Sequence, residues 1–282
     1  MEVIMKLEAF LDYYIYNGKK FSTQGEDKFQ HIKEPVVYEV IRIIDGQPLF
    51  LEEHIDRMRK SMDLLKAKLK KDNEEIEREI YKLIEINREK NMNVKLVCGD
   101  IHNSQNFIAY FIKSNYPKRE VYNDGIHTII YNTERHNPNA KVVDSDLRSK
   151  INEKLKEEHG FEALLVNEEG CVTEGSRSNI FFVDDNCVYT ASNDNVLMGI
   201  TRTQIFKICE KLNFKIEERN ISVKEIKTLK GAFMTGTSVN VLPIRTVENI
   251  NLNSVQNEII KNISDSYNKM VEEYIRNRKK SN

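Results

Sequence analysis

Several residues in this 282-residue chain have the types and settings that bind oxyanions or form covalent bonds. Arg57 lies near the start of a helical segment, and its planar guanidinium binds oxygen atoms in pairs. Gly199-Ile200-Thr201 opens another helical segment, where the first backbone N–H groups and the positive dipole end attract an anion. Thr237 adds a hydroxyl in the Met234-Thr-Gly-Thr237 turn, with Ser238 beside it. Glu174 stands in Thr173-Glu-Gly-Ser-Arg-Ser-Asn179, and Lys141 follows Asn137-Pro-Asn-Ala. A lysine that can lose its proton forms a covalent bond with an aldehyde. Each of these has a plainer reading by itself. Lys and Arg together number 43, so any one lysine is ordinarily a solvated surface group, as Lys150 and Lys154 on the following helix are expected to be. Glu174 can cap a turn, Tyr38 can fill a core, Arg135 can form a structural salt bridge, and Arg59 reads as solvent-facing. The six histidines show no metal-ligand spacing, and His54, on a charged helix, reads as a surface residue. No metal is expected.

The elements that must position these residues alternate between strand and helix. Tyr13 to Tyr16 alternates like a strand and ends at Asn17-Gly18; Val36 to Ile44 is a second strand, closed by Asp45-Gly46, with Pro48 to Leu51 as its return. Helices follow over about His54 to Leu69 and Glu74 to Lys90; the second carries a thin apolar stripe of Ile76, Ile80, Leu83 and Ile84 and is expected at the surface. Strands near Val94 to Cys98 and Phe107 to Ile112 lead to a linker in Ser114 to Asp124. Beyond it come a strand at Ile126 to Tyr131, a helix at about Leu147 to His159, and strands at Glu162 to Val166 and Asn179 to Val183. A helix at Thr201 to Leu212, a strand-to-turn passage from Ala232 to Ile244 and a last helix at about Ser254 to Arg276 complete the chain. No internal repeat or heptad run appears, so the pattern favours mixed α/β.

Composition narrows the function classes. A net charge of −1, with basic and acidic residues interleaved, lacks the basic stripe of a nucleic-acid binder. No apolar run is long enough to span a bilayer, and MEVIMKLEAF lacks a signal pattern, so a cytoplasmic location is expected. Cys98, Cys171, Cys187 and Cys209 are scattered and read as reduced thiols. The expected partner is a small molecule.

Five segments, in order, resemble the class IV (fold-type IV) aminotransferases, a family that includes branched-chain and D-amino-acid aminotransferases and aminodeoxychorismate lyase. They are Tyr38-Glu-Val-Ile-Arg42, Glu53-His-Ile-Asp-Arg57, Asn137-Pro-Asn-Ala-Lys141, Thr173 to Asn179 with Gly199-Ile-Thr-Arg202, and Met234-Thr-Gly-Thr237. The resemblance covers about Tyr13 to Ile244 and implies pyridoxal 5′-phosphate as cofactor. It implies a smaller N-terminal α+β domain at residues 1–116, a linker at 117–125 and a larger C-terminal α/β domain at 126–282, with the cofactor between the domains and a homodimer as the assembly. It assigns Lys141, 33 residues before Glu174, as the catalytic lysine that holds the cofactor. Glu174 takes the pyridine nitrogen, Arg57 and the Ile200-Thr201 helix start take the phosphate with Thr237, and Ser178, Asn179 and Leu197 support the ring. Tyr38 and Ser238 are assigned to the substrate, with Arg135 near the cofactor. Loops near His102 to Gln105 and Ser114 to Asp124 are expected to reach the partner's pocket.

The implied reaction moves an amino group between an amino acid and a 2-oxo acid. A lyase of the aminodeoxychorismate type uses the same anchors, and a non-catalytic relative would keep only the fold. Substrate-side residues depart from the family: Asn93 to Asp100 reads NVKLVCGD without the carboxylate-binding arginine, leaving Lys95 or another loop in its place. Asp146 stands where branched-chain enzymes carry a tyrosine. Which amino acid is used, and its L or D hand, stay open on these residues.

Overall fold

The computed structural model describes residues 7–135, 138–185 and 187–281. Asn137, the first residue of one resemblance segment, lies outside them. Its contacts divide the chain into two units: residues up to Asn115 with Ala140–Val143 and the chain from Val271 onward, and Tyr116–Asn139 with Asp144–Met270. The segment 117–125, read as a linker, carries a short helix, Arg119–Asp124 (α3), closed by Gly125 at φ +69°.

In the first unit, a six-stranded sheet is built from β1 (Tyr13–Tyr16), β2 (Lys19–Ser22), β3 (Val37–Ile44), β4 (Gln47–Pro48), β5 (Asn93–Gly99) and β6 (Asn106–Phe111), in the order β2-β1-β6-β5-β3-β4. The two expected turns both form. Asn17-Gly18 and Asp45-Gly46 each place two residues at positive φ between paired strands, the backbone that asparagine, aspartate and glycine tolerate and that matches the strand twist. The expected return strand Pro48 to Leu51 is cut to two residues, because Phe50 turns left-handed at φ 51° and starts α1 at Leu51.

Helix α1 (Leu51–Leu64) and helix α2 (Asn73–Asn87) cover one sheet face. Leu51, Ile55, Met58 and Met62 of α1 and Ile76, Ile80, Leu83 and Ile84 of α2 recur at three- and four-residue intervals and enter one core with Val37, Ile41 and Ile43. Helix α1 stops five residues before the expected Leu69, because Lys66 takes φ 56° and the chain folds back to bury Ala67 and Leu69. Arg59 clamps this return, donating to the Leu69 and Lys71 carbonyls and to Asn73 Oδ1. It is half-buried rather than solvent-facing. An Asp72/Glu75 capping box then starts α2.

The second unit holds β7 (Ile126–Asn132), β8 (Glu162–Val166), β9 (Cys171–Gly175), β10 (Asn179–Asp184), β11 (Cys187–Thr190), β12 (Lys215–Glu218), β13 (Ile221–Ser222), β14 (Gly231–Gly236), β15 (Asn240–Val247) and β16 (Ile250–Asn251). These form one ten-stranded sheet, ordered β12-β11-β10-β14-β15-β7-β8-β9-β13, with β16 beside β15. Helix α4 (Ser145–Glu157) joins the parallel pair β7 and β8, and α5 (Ile200–Lys211) joins the parallel pair β11 and β12. The remaining helix, α6 (Glu258–Ser281), gives residues to both units. Its Tyr274 hydroxyl donates to Glu52 at 2.6 Å, and Arg278 binds Glu52 and Glu77 within the first unit.

Among the described residues no helix is long and apolar enough to cross a membrane. All four cysteines are free; Cys98, Cys187 and Cys209 are buried, and burial pushes the thiols of Cys98 and Cys209 up to about 12. A thiol reacts as its thiolate, so native protein is expected to release one equivalent of thionitrobenzoate promptly at pH 8, from half-buried Cys171, and the rest only in denaturant. Loss of the fast phase in Cys171→Ser checks the assignment.

Candidate active site

In the first unit, Lys141 is held from both sides of its peptide. Tyr38 N–H donates to the Lys141 carbonyl at 3.1 Å, and the Lys141 N–H donates to Ser61 Oγ at 3.1 Å. Val142 forms an antiparallel bridge with Val37, so residues 140–143 continue the sheet along β3. The ammonium then lies 4.7 Å from the centre of the Tyr38 ring, a cation–π contact. Tyr38 and Lys141, far apart in sequence, are thus direct neighbours.

On the opposite face of β3 sits a charge in an apolar row. Val37, Glu39, Ile41 and Ile43 share that face, and Glu39 has no solvent exposure. Its carboxylate accepts from Arg57 Nε at 2.7 Å and from Arg57 Nη2 at 2.6 Å, a two-pronged pair, and meets His54 Nδ1 at 2.7 Å. Burial alone would push the Glu39 carboxyl upward, but the Arg57 guanidinium beside it wins and holds it down at about 2. Burial lowers the pKa of His54, so its ring is neutral and Nδ1 carries the proton given to the carboxylate. His54 is 2 % exposed. The reading of it as a surface residue is corrected, because the α1 stripe that buries Ile55 and Met58 turns position 54 toward Glu39.

The second unit assembles a different set of groups. Glu174, on β9 and buried, accepts from Arg135 Nη1 at 3.0 Å and from the Leu197 N–H at 3.2 Å. Arg135 thus makes a salt bridge, directed at Glu174. Asn179 donates its amide to the Leu197 carbonyl at 2.8 Å, so Leu197 is tied on both sides of its peptide. The turn between β9 and β10 is held by Glu162, which sequence reasoning passed over. At 1 % exposure its carboxylate accepts from Ser176 N–H and Oγ–H, Arg177 N–H and Ser178 Oγ–H. The turn-holding role open to Glu174 therefore falls to Glu162, and the Ser178 hydroxyl is spent on that turn.

Helix α5 begins at Gly199, at the carboxyl end of parallel strand β11, without a side-chain cap. A Cβ at Gly199 would stand 2.0 Å from Asn179 Oδ1, so only glycine allows this close packing. Ile200 and Thr201 occupy the first turn. Arg202 is buried and reaches the Ala191 carbonyl and Asn193, anchoring the helix start. Thr235 is buried, and its Oγ1 has no hydrogen-bond partner among the described residues. Thr237 and Ser238 form the half-buried tip of the β14–β15 hairpin, just after Gly236. A glycine-started helix, a hydroxyl-bearing hairpin tip and an unsatisfied threonine suit a group rich in acceptor oxygens.

The sequence profile of Amino-transferase class IV matches residues 36–247, three quarters of the chain. This chain belongs to the class IV aminotransferase family. Among curated relatives, the D-alanine aminotransferase of Bacillus licheniformis is 28 % identical over 75 % of this chain and 78 % of its own length. The probable branched-chain-amino-acid aminotransferase of Rickettsia bellii (strain RML369-C) is 29 % identical over 83 % and 86 %. Among solved structures, the Escherichia coli branched-chain amino acid aminotransferase superposes with a TM-score of 0.81 at 20 % identity, covering 93 % of this chain and 95 % of that one. The fold of this class IV aminotransferase is therefore the mixed α/β fold of that enzyme, with a smaller and a larger unit.

Removing Glu39 strands a buried guanidinium. Glu39→Ala is expected to cost about 3–5 kcal/mol in urea unfolding. The Glu39 carboxyl is held below its ordinary 4.5, so its share of stability is complete above pH 4.5 and is lost as pH falls toward about 2. Unfolding free energies measured from pH 6 to pH 2 should therefore fall less steeply below pH 4.5 in Glu39→Gln than in wild type.

Proposed function

We propose that this class IV aminotransferase uses pyridoxal 5′-phosphate, bonded to Lys141, to move an amino group between an amino acid and a 2-oxo acid. The observation that carries this reading is the clipping of Lys141 to β3, with its ammonium against the Tyr38 ring. The groups present fit the cofactor: a lysine for its aldehyde, Glu174 for its pyridine nitrogen, and Arg57, Ile200, Thr201 and Thr237 for its phosphate. The bound cofactor supplies an electron sink for the pair released when the substrate Cα–H bond breaks.

The chain's own residues do the positioning and the proton transfer. With the cofactor held, Lys141 Nζ would be the base that takes the substrate Cα proton and the acid that gives it back. Arg135 and the Leu197 N–H hold the two Glu174 oxygens in place, and that carboxylate would pair with the ring nitrogen. Glu39 fixes the plane of the Arg57 guanidinium. Asn179 and Leu197 support the ring, Ser178 acts through the turn, and Tyr38 and Ser238 border the substrate. The D-alanine and branched-chain aminotransferase relatives support a branched-chain or D-amino acid as substrate, and the enzyme works as a homodimer in the cytoplasm, a setting in which its four free thiols stay reduced.

Borohydride reduction of cofactor-loaded protein followed by peptide mass spectrometry is expected to find phosphopyridoxyl on Lys141. Lys141→Ala should lose that adduct and at least roughly 10²–10⁴-fold of the turnover with L- or D-alanine and branched-chain amino acids. A wild-type protein that binds no cofactor sinks the proposal. Pyruvate release from aminodeoxychorismate without amino transfer would make it a lyase.

A further inference from the structure

A buried carboxylate that takes no cofactor role organises the turn that follows Glu174. Glu162 opens β8, and its Oε1 accepts from the Ala163 N–H at 2.9 Å, the Ser176 N–H at 3.1 Å and the Ser176 hydroxyl at 2.6 Å. Its Oε2 accepts from the Arg177 N–H at 3.3 Å and the Ser178 hydroxyl at 2.9 Å. All five donors are neutral, and four of them belong to the turn. The turn cannot shift without stranding a buried carboxylate. Packing leaves no slack either: a Cβ at Gly175 would stand 2.0 Å from Ser178 Oγ and 3.2 Å from Glu162 Cδ.

The positive charge of this arrangement comes from α4. Arg148 lies one turn into that helix, whose start is fixed by the Asp144 carboxylate accepting from the Leu147 N–H at 3.0 Å. Its Nη2 donates to the Ser176 carbonyl at 2.9 Å, and its Nη1 donates to Ser176 Oγ at 3.4 Å. Ser176 Oγ thus takes a hydrogen bond from the guanidinium and gives one to Glu162, and each bond polarises the next. The serine is bound at its N–H, its carbonyl and its hydroxyl together, by a strand and by a helix.

The residues on either side of this turn converge on one peptide. Glu174 directly precedes Gly175 and accepts from the Leu197 N–H, while Asn179 directly follows Ser178 and donates to the Leu197 carbonyl. A slide of the turn would move both. A carboxylate that pairs with a ligand nitrogen has to be held to within about 0.5 Å, and hydrogen bonds behind it supply that precision.

We propose that Arg148 and Glu162 are positioning residues for Glu174: they clamp the Ser176–Ser178 turn from two sides and so hold the carboxylate that pairs with the ring nitrogen of the cofactor. This rests on the cofactor reading above, which gives Glu174 that partner. Both residues lie outside the five segments that carry the family resemblance.

Equilibrium binding to the cofactor-free full chain, followed by absorbance, compares pyridoxal 5′-phosphate with an analogue whose ring nitrogen is replaced by carbon. Arg148→Gln and Ser176→Ala are each expected to weaken pyridoxal 5′-phosphate about tenfold, the scale of one lost charge-assisted bond, and to change the analogue by less than about twofold. Arg148→Lys, which keeps one donor for the Ser176 carbonyl, should recover most of the loss. Glu162→Gln should show the same selectivity where it folds; where it does not, the two milder variants decide. Adding Arg148→Gln to Glu174→Gln should cost no further affinity, because the group it acts through is gone. Equal weakening of both ligands makes the clamp merely structural and overturns the proposal, as does a further loss in the double variant or unchanged affinity in both Arg148→Gln and Ser176→Ala. Wild-type protein that holds both ligands equally well also overturns it, since pairing with the ring nitrogen would then add nothing. Wild-type protein that binds neither ligand refutes the cofactor reading instead.

Discussion

A carboxylate with no solvent contact must find its solvation inside the protein, and Glu39 finds it in Arg57 and His54. That requirement binds strand β3 to helix α1. Strand β3 then carries three things at once: the Glu39 cluster on one face, Tyr38 on the other, and the Lys141 segment along its edge. A shift of one residue in β3 would exchange the faces and turn Glu39 toward Tyr38's side. The buried pair penalises that shift heavily, so it fixes register as well as contributing energy. The place of Lys141 follows from that register.

The second unit solves a similar problem with a neutral set of donors. Glu162 is as buried as Glu39 but is satisfied by the hydroxyls and backbone N–H groups of the Ser176–Ser178 turn. The turn begins one residue after Gly175, where a Cβ would collide with Ser178 Oγ, and it sets the spacing between Glu174 and Asn179. Those two residues in turn hold Leu197, two residues before the glycine that opens α5. The Thr-Glu-Gly-Ser-Arg-Ser-Asn segment is therefore one hydrogen-bonded device. Its serines serve Glu162, which lies outside the motif.

The two units carry different kinds of polar group. The first holds the ammonium groups of Lys141 and Lys95, both near the Tyr38 ring, and an Arg57 guanidinium paired with Glu39. The second presents a helix start, a hairpin hydroxyl and one carboxylate held by Arg135. Arg135, which reads equally as a salt-bridge residue or as a cofactor contact, is the means by which Glu174 keeps a fixed orientation.

By itself, the sequence determined the elements whose signals are local. The Asn17-Gly18 and Asp45-Gly46 turns, the apolar stripes of α1 and α2, the alternation of β3 and the glycine before α5 all follow from neighbouring residues. It also determined the family, because several short motifs occur in one order, and through that order it singled out Lys141 and Glu174. A charge at position 39 in the apolar phase of β3 was a legible sign of a buried partner, though not of which one. Tertiary structure decided the partners. That His54 is buried, that Arg59 clamps the α1–α2 return, that Glu162 holds the β9–β10 turn and that Glu8 sits on Lys95 are contacts between residues 10 to 90 positions apart. Local pattern cannot encode such contacts, because which side chains meet depends on strand register and helix rotation, and the whole core sets both.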